Sequence, residues 1–190
     1  MLFACLLLLP LAAPAPPTKP LIVPGRSLGT ITLGMPVAAL TSLGRSDTGD
    51  AGMQHSWATW YAKAPSGHRA QLDVYGQVEY GKAQASILVV RATSPFFRTS
   101  RGLRAGATLA SARQEYGPFV LAATYQAGAK AGTRYIYDNA RAGLAVETDG
   151  RTATSHCTAV LVHLPGKDLK TNYVSMTDYL QQLTQGPAQP

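Results

Sequence analysis

The chain is poor in cysteine. Of its 190 residues only two are cysteines, and Cys5 lies within an apolar N-terminal run. A secretory leader over residues 1–20 would remove Cys5 and leave Cys157 alone, which excludes an intramolecular disulfide and a C-x-x-C metal or redox motif. Because unpaired cysteines are usually interior, we expect Cys157 to be a buried structural thiol.

Clustered charge and metal-ligand spacings are also scarce. Charged residues make up 14% of the chain, and the lysines and arginines behind the net charge of +7 are scattered singly. A nucleic-acid footprint needs basic residues on one face, so we expect a solvated basic surface and no nucleic-acid partner. The four histidines show neither H-x-x-x-H nor H-E-x-x-H spacing. We therefore predict no metal site, and no cofactor.

The first 20 residues, MLFACLLLLPLAAPAPPTKP, carry an apolar run from Leu2 to Ala13. This run is shorter than the roughly 20 residues that span a bilayer, so we interpret residues 1–20 as a secretory leader. No second apolar run of spanning length follows, and no transmembrane segment is expected. The mature chain is predicted to be secreted or periplasmic.

An internal repeat organises the remaining sequence. Apolar and glycine positions recur 72 residues apart in three separate segments. The matched positions are Ile31/Leu103, Gly34/Gly106, Val37/Leu109, Leu72/Leu144, Val74/Val146, Leu88/Val160 and Val90/Val162. One offset across three segments predicts two tandem copies of a supersecondary unit. The copies would span residues 21–95 and 96–165, followed by a C-terminal helix and a flexible tail over 166–190.

Each copy predicts a short helix followed by three strands. The helices are PVAALTSLG and ATLASARQEYG, where Pro36 suits a first turn and Thr108 suits an N-cap. The strands are predicted over 56–63, 70–75, 86–93, 133–137, 143–147 and 158–164 from their β-branched and aromatic content. The predicted fold class is α+β: two tandem copies of a helix packed on a three- to four-stranded antiparallel meander. A C-terminal helix over 175–183 would carry Met176, Tyr179, Leu180 and Leu183 on one face.

The two copies resemble a known kind of tandem module. PGRSLGTITLGM followed by ALTSLG, and then FFRTSRGLRAGATLASARQEYG, are similar to the helix-plus-meander repeats of β-lactamase-inhibitor-protein-like and BamE-like (outer-membrane assembly lipoprotein) proteins. The resemblance implies an exported, non-catalytic protein that binds a protein or cell-envelope component through an exposed sheet face. The chain lacks the disulfides usual in inhibitor-type repeats and a lipid-acceptor cysteine after its leader. Neither specific activity therefore transfers.

Aromatic residues of the predicted strands are the candidate binding residues. In a strand with period-2 alternation, Tyr75 faces away from Leu72 and Val74, on the side that the repeat's own helix leaves uncovered. Rigid aromatic side chains on such a face suit a protein interface, although they could equally fill the seam between the copies. The candidates are Trp57, Trp60, Tyr61, Asp73, Tyr75, Tyr135 and Tyr137.

A second function class rests on one pentapeptide. Gly25-Arg26-Ser27-Leu28-Gly29 matches G-x-S-x-G, the nucleophile elbow of serine hydrolases. Asp138 or Asp149, followed by His156 or His163, would complete a triad in the right chain order. An elbow needs a helix directly after the serine, whereas Ser27 is followed by the extended TITLG. The alternative to a binding module is therefore a small secreted serine hydrolase using Ser27.

Overall fold

The computed structural model describes residues 21–63, 69–128, 131–172 and 176–185. The predicted leader and the predicted Pro65-Ser66-Gly67 turn lie outside these ranges. The strands are β1 (Leu21–Val23), β2 (Ser27–Leu28), β3 (Ile31–Thr32), β4 (Thr48–Gly52), β5 (His55–Lys63), β6 (Arg69–Val78), β7 (Ala85–Ala92), β8 (Arg98–Thr99), β9 (Val120–Gln126), β10 (Thr133–Asn139), β11 (Leu144–Thr148) and β12 (Cys157–His163). The helices are a 3₁₀ helix (Val37–Leu43), α1 (Leu109–Tyr116), α2 (Leu169–Asn172) and α3 (Met176–Gln185).

An eight-stranded antiparallel sheet forms the centre of the fold. Its strand order is β4-β5-β6-β7-β12-β11-β10-β9. The strands of each half are consecutive in sequence, and the halves join where β7 pairs with β12, with Val90 opposite Val162. A smaller sheet has the order β3-β2-β1-β8. The halves thus share one continuous sheet.

The predicted α+β class is wrong, because the described chain is mostly β, with twelve strands in two sheets and only short helices. The first predicted helix is a 3₁₀ helix that buries only Leu40, and α1 has eight residues. Neither is large enough to form a separate layer on its own sheet. The predicted domain boundary between residues 95 and 96 stays a prediction. Two ladders cross it, since Leu21 of β1 pairs with Arg98 of β8 and β7 pairs with β12.

One face of the large sheet, which we call the α1 face, carries the larger apolar core. Val74, Val146 and Val162 pack there with Leu109 and Ala112 of α1. Thr108 caps α1, because its hydroxyl accepts a hydrogen bond from the Ser111 amide at 3.1 Å. The predicted N-cap is confirmed, and it fixes the start of the helix that covers this face.

The opposite face, which we call the α3 face, is covered by the C-terminal helices. Tyr75, Val89 and Leu161 of the sheet pack in one cluster with Met176 and Leu180 of α3. The predicted apolar stripe of this helix is confirmed, since its residues are buried or partly buried. Within the described residues, no helix has both the length and the apolar character needed to cross a membrane. Both faces of the large sheet are therefore occupied by the chain's own elements.

The burial of two repeat-related leucines gives a stability prediction. Leu144 has no exposed surface, whereas Leu72 is only partly buried on the same α1 face. We expect Leu144→Ala to cost about 2–5 kcal/mol of unfolding free energy, as usual for a buried leucine, and Leu72→Ala to cost less. Chemical denaturation of both variants measures the difference. Equal losses would show that the two positions are equally packed.

Candidate functional site

The predicted binding residues of the α3 face are mostly buried. Tyr75 lies opposite the Leu72 and Val74 face, as the alternation predicts, but α3 covers it and leaves 1% of its surface exposed. Trp57 is 5% exposed, and its ring stacks on Tyr179 of α3 at a centroid distance of 5.1 Å. The expected open sheet face is therefore not present at these positions.

The remaining predicted aromatics are dispersed over the fold. Trp60 and Tyr61 are partly exposed on opposite faces, and the Arg69 guanidinium lies 3.4 Å from the centroid of the Tyr61 ring. Tyr135 is partly buried and Tyr137 is buried, both packed on the α1 face. The structure does not bring these four rings together with Trp57 and Tyr75 on one surface.

Asp73, the charged member of the predicted set, belongs to a buried ionic network. Arg91 Nη1 lies 2.6 Å from Asp73 Oδ2, and Arg91 Nη2 lies 2.8 Å from Glu147 Oε2. All three side chains are at most 5% exposed. Burial lowers the pKa of Arg91, but Glu147 and its other neighbours more than offset this effect, so its pKa is raised. The guanidinium is therefore held in its charged form.

Hydroxyl groups complete the hydrogen bonding of both carboxylates. Thr59 donates to Asp73 at 2.6 Å, and Tyr125 donates to Glu147 at 2.9 Å. Burial raises the pKa of Tyr125, which keeps its hydroxyl protonated as a donor. Because these groups satisfy one another inside the protein, the network has the character of a structural core rather than of a ligand site.

A second buried polar pair links β12, β10 and α2. His163 Nε2 lies 2.8 Å from Asp138 Oδ1, and His163 Nδ1 lies 3.1 Å from the Leu164 carbonyl. The Leu169 amide donates to Asp138 Oδ2 at 3.0 Å. A carbonyl oxygen only accepts, so Nδ1 is the donor to Leu164, and Nε2 is the nitrogen that contacts the Asp138 carboxylate. These contacts already engage both ring nitrogens of the histidine.

Ser27 does not occupy an elbow. It begins β2 and pairs with Val23 of β1 and Thr32 of β3, so it lies in a small antiparallel sheet instead of between a strand and a helix. The other possible triad pair, Asp149 and His156, is exposed, with 3.8 Å between Oδ2 and Nδ1. Cys157 is buried, as expected, and burial raises its pKa to about 12. Nucleophilic catalysis at these positions has no geometric support.

A cleft between the β4–β5 hairpin and α3, the hairpin–α3 cleft, is the candidate functional site. Its volume is about 250 Å³. The residues that line it include Asp50, Met53, His55, Trp57, Asp178 and Tyr179. The cleft lies at one lateral edge of the large sheet, because β4 is the first strand in the sheet order.

Stacked aromatic rings form the floor of this cleft. The Trp57 ring stacks on Tyr179 and contacts the tilted ring of Tyr75 at a centroid distance of 4.6 Å. His55 Nδ1 is hydrogen-bonded to the Tyr75 hydroxyl, and the Thr59 and Tyr179 hydroxyls are 2.7 Å apart. Burial raises the pKa of Tyr179 to about 12. The floor is therefore closely packed and largely apolar.

A strained turn forms the outer end of the cleft. Met53 and Gln54 connect β4 and β5, with φ angles of 47° and 68°. Two residues with positive φ define a type I′ turn, for which Asn-Gly is the favoured sequence. The Met53 side chain is 93% exposed. The chain thus displays a large apolar side chain on a backbone that disfavours it.

Two carboxylates of the cleft are without partners in the described part of the chain. Asp50 and Asp178 are exposed, and neither side chain makes a hydrogen bond or an ion pair there. By contrast, the buried carboxylates Asp73, Asp138 and Glu147 all have close donors. The cleft is therefore locally negative in a chain of net charge +7.

Comparisons with known proteins add no relative. No protein-family model, curated protein or solved structure matches this chain. The resemblance to β-lactamase-inhibitor-protein-like and BamE-like modules stays a prediction. Any functional argument therefore rests on the chain's own residues.

A second cavity lies beside β9 at the other edge of the large sheet. Its volume is about 420 Å³, and Asp138 and Val120 line it. Asp138 already accepts hydrogen bonds from within the fold. No group of three histidine, cysteine or acidic side chains in the described ranges could hold a metal ion. We regard the hairpin–α3 cleft as the better candidate, because its carboxylates are available to a ligand.

Local sequence patterns do not indicate Asp50 and Asp178, the residues that distinguish this cleft. Asp50 lies in TGDAG, a segment that two glycines make a poor strand. Asp178 lies on the polar side of α3, where an acidic residue is ordinary. Only the packing of α3 beside the hairpin brings them together. One sequence feature does point to the cleft: the two-residue turn is Met53-Gln54, where Asn-Gly would be favoured.

Proposed function

We propose that the protein is an exported, secreted or periplasmic, non-catalytic binding module that recognises a protein or cell-envelope component through the hairpin–α3 cleft. The observation that carries this proposal is the strained turn, which holds the exposed Met53 beside a closely packed aromatic floor. Recognition by an open sheet face, as the sequence suggested, is replaced by recognition at the edge of the sheet.

The strain at the turn supports a functional role. A non-glycine residue in the left-handed region costs about 1–3 kcal/mol, and such residues cluster at binding and active sites. Here two consecutive residues adopt that conformation. An exposed methionine is also an adaptable apolar contact.

The size of the cleft supports a macromolecular partner. Its volume of about 250 Å³ is below the roughly 300–1,000 Å³ of pockets that enclose drug-sized ligands. A single side chain fits such a volume, whereas a whole cofactor does not. The cleft therefore suits one anchoring residue within a larger interface.

The serine hydrolase alternative has less support. Ser27 starts a strand of the small sheet, and the two nitrogens of the buried His163 contact Asp138 and the Leu164 carbonyl. Activity of a purified chain against ester substrates, abolished by Ser27→Ala, would favour it over the binding proposal.

We expect the double variant Met53→Asn/Gln54→Gly to be more stable than the wild type but to bind its partner less well. The new pair suits a type I′ turn and relieves the strain, which is worth about 1 kcal/mol or more. The same change removes the Met53 thioether from the cleft. Thermal denaturation measures the first effect, and quantitative capture of a partner from envelope extract measures the second.

Val120→Thr is the matched control for this experiment. Val120 is also an exposed apolar residue, 71% accessible, but it lies on β9 at the far edge of the sheet. We expect it to leave capture unchanged. Capture that survives the double variant, or that falls equally with Val120→Thr, would contradict the proposed site.

A further inference from the structure

We infer that the hairpin–α3 cleft takes a lysine side chain from an extended peptide segment that pairs with the edge strand β4. This inference rests on the proposed function and specifies its partner. It is carried by three features of the cleft: its charge, its floor and the strand beside it.

The charge of the cleft selects a basic group. Asp50 and Asp178 line it without partners among the described residues, in a chain whose net charge is +7. Acidic groups that are not neutralised internally attract an oppositely charged partner and repel acidic ones. The rest of the basic surface would strengthen that discrimination, because an acidic segment would be drawn elsewhere.

The floor of the cleft favours lysine over arginine. The Trp57 ring already packs against Tyr75 and Tyr179, at centroid distances of 4.6 and 5.1 Å. A guanidinium gains most from stacking on a free aromatic face or from a bidentate carboxylate, whereas an ammonium is a compact charge on an apolar stem. The aliphatic stem of the peptide lysine would lie against Met53 and the ring edges, and its ammonium would lie at the carboxylates of Asp50 and Asp178.

The strand beside the cleft provides a place for the peptide backbone. In the described chain β4 pairs only with β5, so its other side presents unpaired peptide groups. Its side chains are small, and nothing lies within 4 Å of a Cβ built on Gly52. Strand addition at a sheet edge is a common mode of peptide recognition.

The register of β4 connects the peptide with the cleft. Asp50 lies opposite Trp57, so its side chain is on the α3 face. In a strand added to β4, every second side chain projects to that same face. A lysine directly opposite Asp50 would form an opposite-charge cross-strand pair. Backbone pairing would thus align the peptide, and the lysine would provide specificity.

NMR titration of the isotope-labelled full chain tests the inference. The probes are blocked pentapeptides with the sequences Val-Lys-Val-Lys-Val, Val-Gln-Val-Gln-Val and Val-Arg-Val-Arg-Val, at low ionic strength. We expect the lysine peptide to bind about tenfold or more tightly than the glutamine peptide, because glutamine cannot form the charge pair with the two carboxylates. It should also bind more tightly than the arginine peptide, and shift the amides of Ala51 and Gly52.

Single variants test whether Asp50 and Asp178 hold the lysine ammonium. We expect Asp50→Asn and Asp178→Asn each to weaken binding of the lysine peptide several-fold and to reduce its dependence on salt. Asp149→Asn is the matched control, since Asp149 is an exposed carboxylate outside the cleft. Methylation of alternate peptide nitrogens should abolish binding, because a methylated nitrogen cannot donate to a strand.

Several results would overturn the inference. These are equal affinity for the lysine and glutamine peptides, tighter binding of the arginine peptide, unchanged affinity after Asp50→Asn and Asp178→Asn, or full binding of the methylated peptide. If native capture depends on Met53 but not on the two carboxylates, the inference fails and the proposed function stands. If capture is independent of Met53, the proposed function fails.

Discussion

Replacement of Arg91 by methionine is expected to lower the free energy of unfolding by about 3–5 kcal/mol, because it leaves the buried Asp73 without its cation and Glu147 with only the Arg134 guanidinium, 3.8 Å away. Asp73 and Glu147 are 0% and 1% exposed, so water cannot replace the guanidinium. Methionine keeps the unbranched apolar stem of the side chain, and the loss therefore reports mainly the guanidinium with its charge and its hydrogen bonds. Urea denaturation at neutral pH measures it.

The control for Arg91 removes all three charges together. In Asp73→Asn/Arg91→Met/Glu147→Gln, the amide oxygens still accept the hydrogen bonds of Thr59 and Tyr125, and no buried charge remains unpaired. We expect this triple variant to be more stable than Arg91→Met alone. A triple variant that is less stable than the single one would show that the network stabilises the fold by more than mutual compensation of charge.

Tyr75→Ala is expected to destabilise the fold by about 3–5 kcal/mol, as truncation of a buried aromatic ring usually does. The ring is 1% exposed and packs against Trp57, and burial raises its pKa. Tyr75→Phe keeps the ring and removes only the hydroxyl bonded to His55. It should cost about 0.5–1.5 kcal/mol, the value of one hydrogen bond.

Thermal and chemical denaturation of the two Tyr75 variants separate two positions for this ring. A ring on an open binding face, which strand alternation alone suggests, would be replaced by alanine with little effect on melting. Replacement of a ring buried under α3 would instead lower the melting temperature clearly. Wild-type melting of Tyr75→Ala would therefore contradict the packing of α3 on this face.

Local sequence patterns predicted the central strands of the large sheet. β5, β6, β7, β10, β11 and β12 overlap the six predicted strands to within a few residues at their ends, because β-branched and aromatic residues are enriched there. β4 and β9 were missed. β4 reads TGDAG, and its strand conformation comes from pairing with β5 rather than from its own residues. Such tertiary stabilisation overrides propensity and leaves no local signal.

The fold class was wrong for a related reason. The 72-residue repeat predicts two self-contained units, whereas β7 and β12 pair across the halves and make one sheet. The apolar stripe of α3 was visible in the sequence, but a stripe does not specify which sheet face it covers. Whether Tyr75 and Trp57 are exposed depends on which face of the sheet α3 covers.

Local sequence patterns predict neither the ionic network nor the cleft. Asp73, Arg91 and Glu147 lie in three different strands, and only strand register brings their side chains together. The carboxylates of the cleft come from β4 and α3, near opposite ends of the described chain. Individual positions of this kind look like ordinary surface charges in a sequence.

α3 follows every strand of the large sheet in the chain order, so the helix that covers the α3 face is synthesised after the sheet. Until Met176–Gln185 leaves the ribosome, the α3 face has no cover over Val89, Ile136 and Leu161. The strands on both sides of the β7–β12 junction also have to be complete before the sheet closes. A nascent chain of this architecture therefore exposes this apolar face until α3 has been synthesised.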